Sequence, residues 1–245
     1  MRLKKQNKNM ILKNLSYKEK VMDQSRTALL IGDEGVEKLS QKHITIVGCG
    51  GVGGYCAIML ARAGIGKMKI VDFDTVSPSN VNRQIVAFSS TIGRKKVDVL
   101  KEMMTDINQN MQIEKVDEKL TEENVERIIT GTDLVVDAID SVPDKIALIV
   151  YCKKHNIKIV SAMGAGNRCD IPVFEVVDIY KTCNDGLAKV VRKRLREEGV
   201  ESLDVVTTFS KAAQARPVGS ISYYPAMCGC TLSAWVINQI VKEEI

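Results

Sequence analysis

The stretch HITIVGCGGVGG, residues 43–54, decides how the rest of the chain is read. Its first half is a short apolar run rich in β-branched side chains and stopped by Gly48, the pattern of a strand buried on both faces. Its second half is dense in glycine and runs on into YCAIMLARAG, which reads as a helix ending near Gly64. Gly48, Gly50 and Gly53 satisfy G-x-G-x-x-G between strand and helix. Such glycines let the chain turn sharply and bring backbone N–H groups close to a phosphate with no Cβ in the way. A nucleotide site is therefore expected here. Asp72, at the end of the next apolar run, is placed to accept hydrogen bonds from ribose hydroxyls.

Outward from this unit, strand and helix patterns alternate. KMKIVDFD (67–74), QIEKVDEKL (112–120), DLVVDAID (133–140) and IKIVSAMG (157–164) read as strands. KKVDVLKEMMTDIN (95–108) and DKIALIVYCKKHN (144–156) read as helices. TEENVERIITG (121–131) reads as a helix with Thr121 as its cap and a glutamate at the capping-box position. The alternation predicts an α/β, Rossmann-like, doubly wound and mostly parallel sheet, with ligands at the C-terminal strand ends. An amphipathic helix broken by a glycine precedes it. Beyond Gly164 the pattern is irregular up to a buried helix over 227–241, expected near a subunit contact. The expected organisation is a basic leader, 1–22, then one domain, 23–245, with a nucleotide core near 43–162 and a substrate and dimer side near 163–245.

Composition narrows the class. The 245 residues are 45% hydrophobic and only 4% aromatic, so the core must rest on aliphatic side chains. The net charge of +5 is uneven. Arg2, Lys4, Lys5, Lys8, Lys13, Lys18 and Lys20 face only Glu19 in the leader, and AKVVRKRLR (188–196) forms a second basic run. Such clusters attract polyanions, although solvated helix faces look the same. The seven cysteines form no C-x-x-C pair, which points to free thiols in a reducing, cytoplasmic setting and away from a structural zinc site. No segment reads as a membrane span.

The glycine loop alone does not choose between a nicotinamide dinucleotide and ATP. The loop GCGGVGG carries an extra glycine, Gly51, and Asn80, Arg83, Gln84 and Lys96 follow Asp72 closely. Hydride transfer has no use for this density of cations near phosphates. Adenylation does, because attack on the α-phosphate builds charge there and on departing pyrophosphate. GCGGVGG (48–54), LARAGIGKMKIVDFDTVSPSNVNRQ (60–84), GRKKVDVL (93–100) and VVDAIDS (135–141) resemble the ThiF/MoeB/HesA superfamily of ATP-dependent adenylating enzymes. The resemblance is continuous over about 26–162. It implies ATP and magnesium as cofactors, with Gly48, Gly50, Gly51 and Gly53 along the phosphates and Asp72 on the ribose. It also implies Asn80, Arg83 and Lys96 at the phosphates, with Gln84 beside them, Asp140 on magnesium, and Arg26 reaching into the partner's site of an obligate homodimer. Asp74 either caps the loop or joins the nucleotide site, and Lys95 competes with Lys96 for the phosphate role.

Within the superfamily, SRTALLIGDEGVEKL (25–39), the run 137–170, DIYKTCNDGLAKVVRKRLREEGV (178–200) and VGSISYYPAMCG (218–229) are similar to the tRNA threonylcarbamoyladenosine dehydratases. That branch implies activation of a threonyl carboxylate beside the tRNA anticodon as an acyl-adenylate, then ring closure by the attached carbamoyl group. Proximity carries much of the second step, with no need for a catalytic cysteine. The alternative branch adenylates the C-terminal glycine of a sulfur-carrier or ubiquitin-like protein and usually keeps the two C-x-x-C pairs missing here. This chain has Asp170-Ile171 and Asp185-Gly186 where the dehydratases commonly have Asp-Pro. Cys183 stands where related enzymes carry an acyl-accepting thiol. Lys189, Arg192 and Arg196, on one helix face, are expected to track the tRNA backbone. The resemblance also leaves room for a monovalent cation and for a cysteine-desulfurase or sulfur-acceptor partner.

Overall fold

The structure, a computed structural model, describes residues 22–242; the basic leader up to residue 21 lies outside the described residues. The elements in chain order are α1 (Ser25–Gln41), β1 (His43–Val47), α2 (Gly53–Ala63), β2 (Lys67–Val71), α3 (Lys96–Ile107), β3 (Gln112–Val116) and α4 (Val125–Ile129). There follow β4 (Leu134–Asp137), α5 (Val142–Lys154), β5 (Lys158–Ala162), β6 (Glu175–Asp178), α6 (Gly186–Glu197), β7 (Asp204–Thr207) and α7 (Tyr223–Val241).

One sheet is ordered β3-β2-β1-β4-β5-β7-β6, parallel except for β6 against β7. Side chains alternate between two cores, as strand period dictates. Ile44, Ile46, Leu134 and Val136 face α1, α2, α3 and α7 through Leu39, Ala57, Leu100 and Leu232. Val47 and Val135 face α4, α5 and α6 through Ile128, Leu148, Val191 and Leu195. The result is the expected doubly wound α/β sandwich. Strand order reverses at β1, where Val47 pairs level with both Val71 and Asp137. Gly48, Asp72 and Ala138 therefore leave the sheet side by side and open a crevice there.

The glycine break expected in the first helix is present, while other local expectations shift. The α1 helix is kinked at Gly32, whose φ of 74° and ψ of 166° are non-helical. The α4 helix begins only at Val125: Asn124, not a glutamate, reaches back to the Thr121 N–H at 2.8 Å. The C-terminal third is more regular than its pattern suggests. Its β7 is inserted between β5 and β6, and α7 crosses α2 closely enough that a Cβ on Gly229 would fall 2.4 Å from the Val52 carbonyl oxygen. The buried face of α7 is thus covered by its own chain. No helix among the described residues is long and apolar enough to cross a membrane.

Candidate active site

A cavity of 770 Å³ opens at the crevice between the loops that follow β1, β2 and β4. Gly48, Gly50, Gly51, Asp72, Asp74, Asn80, Arg83, Gln84, Lys96 and Asp140 all line it. Gly48 has φ of 93°, and a Cβ there would fall 2.6 Å from the Ala138 carbonyl oxygen, so only glycine turns the chain at this point. Gly53 does not line the cavity. A Cβ on it would meet the Gly48 carbonyl oxygen at 1.8 Å, so the packing of α2 onto the loop requires glycine there.

Asp72 is nearly buried and holds the floor together. One carboxylate oxygen accepts from the Cys49 N–H at 2.7 Å and the other from the Asp74 N–H at 2.8 Å. Each oxygen keeps a second lone pair for a ligand hydroxyl. Burial, with the Asp72 charge adding to it, pushes the Cys49 thiol well up from its ordinary range, so this cysteine fills space. Lys96 opens α3 and lies buried against Asp74 at 2.7 Å, whereas Lys95 turns away to Asp117 at 2.9 Å and the Phe73 carbonyl. Asn80 closes a 3-10 turn by accepting from the Ser77 N–H. Arg83 donates to the Ser79 carbonyl and to Asn82 Oδ1. The Gln84 carboxamide faces Gly50, and its buried oxygen has no hydrogen-bond partner. The carboxamide nitrogen beside Gly50, not the buried oxygen, is the donor that can meet a ligand oxygen in the cavity. Asp140 is exposed on the wall supplied by the β4–α5 loop.

Beneath that wall, Asp137 accepts from Lys145 Nζ at 2.7 Å, from Ser161 Oγ at 2.7 Å and from the Ile139 N–H at 3.0 Å. Both charged side chains are wholly buried. The pair fixes the exit of β4, from which Asp140 follows.

Other lining residues carry no local sequence signature. Lys119 and Asp144 pair across the cavity edge at 2.9 Å. Ala165, Gly166, Val218, Gly219 and Ser220 arrive from the C-terminal third. Arg168, 6% exposed, donates to the carbonyls of Gly164, Gly166, Asn184 and Ser210 and so ties three loops together.

The remaining predicted residues lie elsewhere. Arg26 is exposed on α1, outside the cavity of its own chain, beside the exposed Leu29 and Leu30. Lys189 is exposed on α6, but Arg192 donates to the Thr182 carbonyl at 2.7 Å and to its hydroxyl, and Arg196 covers the Tyr180 ring at 5.1 Å. Two of the three residues expected on RNA are thus also internal props. Cys183 is exposed next to that tether. Asp185 caps α6 at the Ala188 N–H even though Gly186 replaces the common proline.

Residues 24–245 match the ThiF family. The tRNA threonylcarbamoyladenosine dehydratase of Bacillus subtilis is 36% identical over 240 residues, covering 89% of this chain and 94% of that protein. The E. coli tRNA N6-threonylcarbamoyladenosine dehydratase solved in complex with ATP is 33% identical with a TM-score of 0.83, over 87% of this chain and 91% of that one. Its complex with AMP gives a TM-score of 0.85 at 32% identity, over 92% and 95% of the two chains.

Proposed function

This chain belongs to the ThiF family, and from that premise we propose that it is an ATP-dependent tRNA threonylcarbamoyladenosine dehydratase. The observation that carries the reading is convergence. The glycine loop, Asp72, Arg83, Lys96 and Asp140 come from separate segments and line one cavity at the sheet's switch point, in a chain similar along most of its length to dehydratases of that name.

The threonyl carboxylate takes the adenylyl group of ATP, the co-substrate, with release of pyrophosphate, and the neighbouring carbamoyl group then gives up a proton and closes the ring as AMP leaves. The chain's own groups do the rest. Gly48, Gly50 and Gly51 let backbone approach the phosphates, and Asp72 holds the ribose. Asn80, Gln84, Arg83 and Lys96 face the α-phosphate and pyrophosphate, where negative charge grows. Lys96, already buried beside Asp74, needs no reorganisation to meet it. Asp140 would hold Mg2+. A single carboxylate with phosphate oxygens and waters suits that ion.

The partners belong to the same reading. The tRNA backbone runs past Lys189 and the basic face of α6, and a second copy of the chain receives Arg26. A cytoplasmic setting, a monovalent cation and a sulfur-relay partner are compatible with this scheme and play no part in its chemistry. The deciding experiment incubates the protein with ATP, Mg2+ and tRNA bearing threonylcarbamoyladenosine. A modified nucleoside lighter by one water is expected, with one AMP per turnover. Adenylation of a carrier protein's C-terminal glycine and no change in the tRNA would overturn the proposal in favour of the other branch.

A further inference from the structure

Asn82 lies inside the Asn80–Arg83 turn, yet neither the nucleotide fingerprint nor the roles implied by the family use it. Its carboxamide joins two parts of the cavity wall. Oδ1 accepts from Arg83 Nη1 at 2.9 Å, and Nδ2 donates to the Ser220 carbonyl at 3.0 Å. The same arginine nitrogen donates to the Ser79 carbonyl at 2.8 Å. The guanidinium is therefore held by one corner, and its other N–H groups remain for an anion.

Ser220 ends a segment, 211–220, that has no regular secondary structure and is exposed from Lys211 to Gly219. Val218, Gly219 and Ser220 nevertheless line the cavity. Asn167 grips the segment from the other side. Its N–H donates to the Gly219 carbonyl at 2.8 Å, its Oδ1 accepts from the Gly219 N–H at 2.6 Å, and its Nδ2 donates to the Ala215 carbonyl at 3.0 Å. Its own carbonyl accepts from the Ala213 N–H at 2.7 Å. Asn167 has φ of 58°, a left-handed conformation that asparagine tolerates.

We propose that Asn82 is a positioning residue that couples Arg83, on the phosphate side, to the 211–220 segment on the substrate side. An anion that fixes the guanidinium also fixes the acceptor end of Asn82 and so aims its donor end at Ser220. A segment held at Ser220 in turn narrows the directions open to Arg83. Such coupling is reciprocal: nucleotide orders the segment, and the ordered segment strengthens nucleotide binding. An exposed segment without regular secondary structure, held by the side chains and backbone of Asn82 and Asn167, is where such a coupling is felt.

The proposal rests on the cavity being the ATP site, and the test separates the two. In the full-length wild type, ATP should slow tryptic cleavage after Lys211, read by fragment mass. Asn82→Ala should be cut faster, lose the protection by ATP, and raise the KM for ATP in pyrophosphate exchange about tenfold, the scale of one charge-assisted hydrogen bond. Its kcat should change less and its Tm should stay put, because the side chain is exposed. Asn82→Asp keeps an acceptor for Arg83 but cannot donate to Ser220, so it should lose protection while retaining more of the ATP affinity. Wild-type KM and wild-type protection in Asn82→Ala would overturn the proposal. A wild type that neither exchanges pyrophosphate nor is protected by ATP would overturn the ATP reading, and this proposal with it.

Discussion

Arg83 and Asp140 reach the cavity from the loops after β2 and β4, on either side of β1. If they meet charge that develops during adenylation, Arg83→Ala and Asp140→Ala should each lower ATP–pyrophosphate exchange by about a hundredfold to a thousandfold. Both should leave the melting temperature nearly unchanged, since neither side chain is buried. His43 acts at the opposite end of the sheet. It is nearly buried, its Nδ1 hydrogen-bonds with the Gly131 carbonyl at 2.5 Å, and its Nε2 has no partner. Burial foremost holds its pKa below the ordinary histidine value. The unfolded chain then takes up a proton that the folded one refuses, so stability falls as pH drops from about 7 and levels off below the folded-state pKa. Denaturant melts of His43→Gln across this range should show a shallower dependence on pH than the wild type.

At the scale of elements, α6 carries two kinds of basic residue that a linear reading treats alike. Lys189 and Lys193 project from its surface, Lys193 with a long 3.9 Å contact to Glu197. Arg192 is bound to Thr182. Charge reversal at Lys189 and Lys193 together should weaken tRNA binding and reduce the slope of log affinity against log salt by about 2. Arg192→Ala should instead loosen the loop that carries Cys183, seen as faster hydrogen exchange at residues 181–186. The spacing of AKVVRKRLR placed these residues on a helix. It could not say which guanidiniums would find a carbonyl or a ring, because those partners come from the 3-10 turn after β6. The start of α4 is a different case, since the residue three positions after Thr121 is Asn124, and the side chain that reaches back to the Thr121 N–H is therefore the one the spacing itself places there.

For the whole molecule, the Asp137–Lys145 pair binds β4, α5 and, through Ser161, β5 beneath the cavity. Lys145→Met alone leaves a buried carboxylate unpaired and should cost about 3–5 kcal/mol in chemical denaturation. Asp137→Asn combined with Lys145→Met should recover much of that loss. Arg26, exposed and outside its own cavity, gives a test of the dimer. If each site borrows Arg26 from the other subunit, Arg26→Ala and Arg83→Ala proteins should each be inactive alone. Co-refolded, they should regain partial activity, because one heterodimer site then keeps both arginines.

The strand–glycine–helix unit at 43–54, the alternation that follows it and the cluster from Asp72 to Lys96 are local in sequence. Period, turn chemistry and charge density are properties of neighbouring residues, and so the sheet class was legible in the sequence, as were residues such as Asp72, Arg83 and Lys96 that meet in the cavity at the switch point. The tertiary structure decided the rest. It set Gly53 against the Gly48 carbonyl in the packing of α2, buried Lys145 against Asp137, tied Arg192 to Thr182, and brought Ser220 across to Asn82. Each of these depends on which distant segment is adjacent. Adjacency is set by burying two aliphatic cores on opposite faces of one sheet, which no short window of the chain encodes.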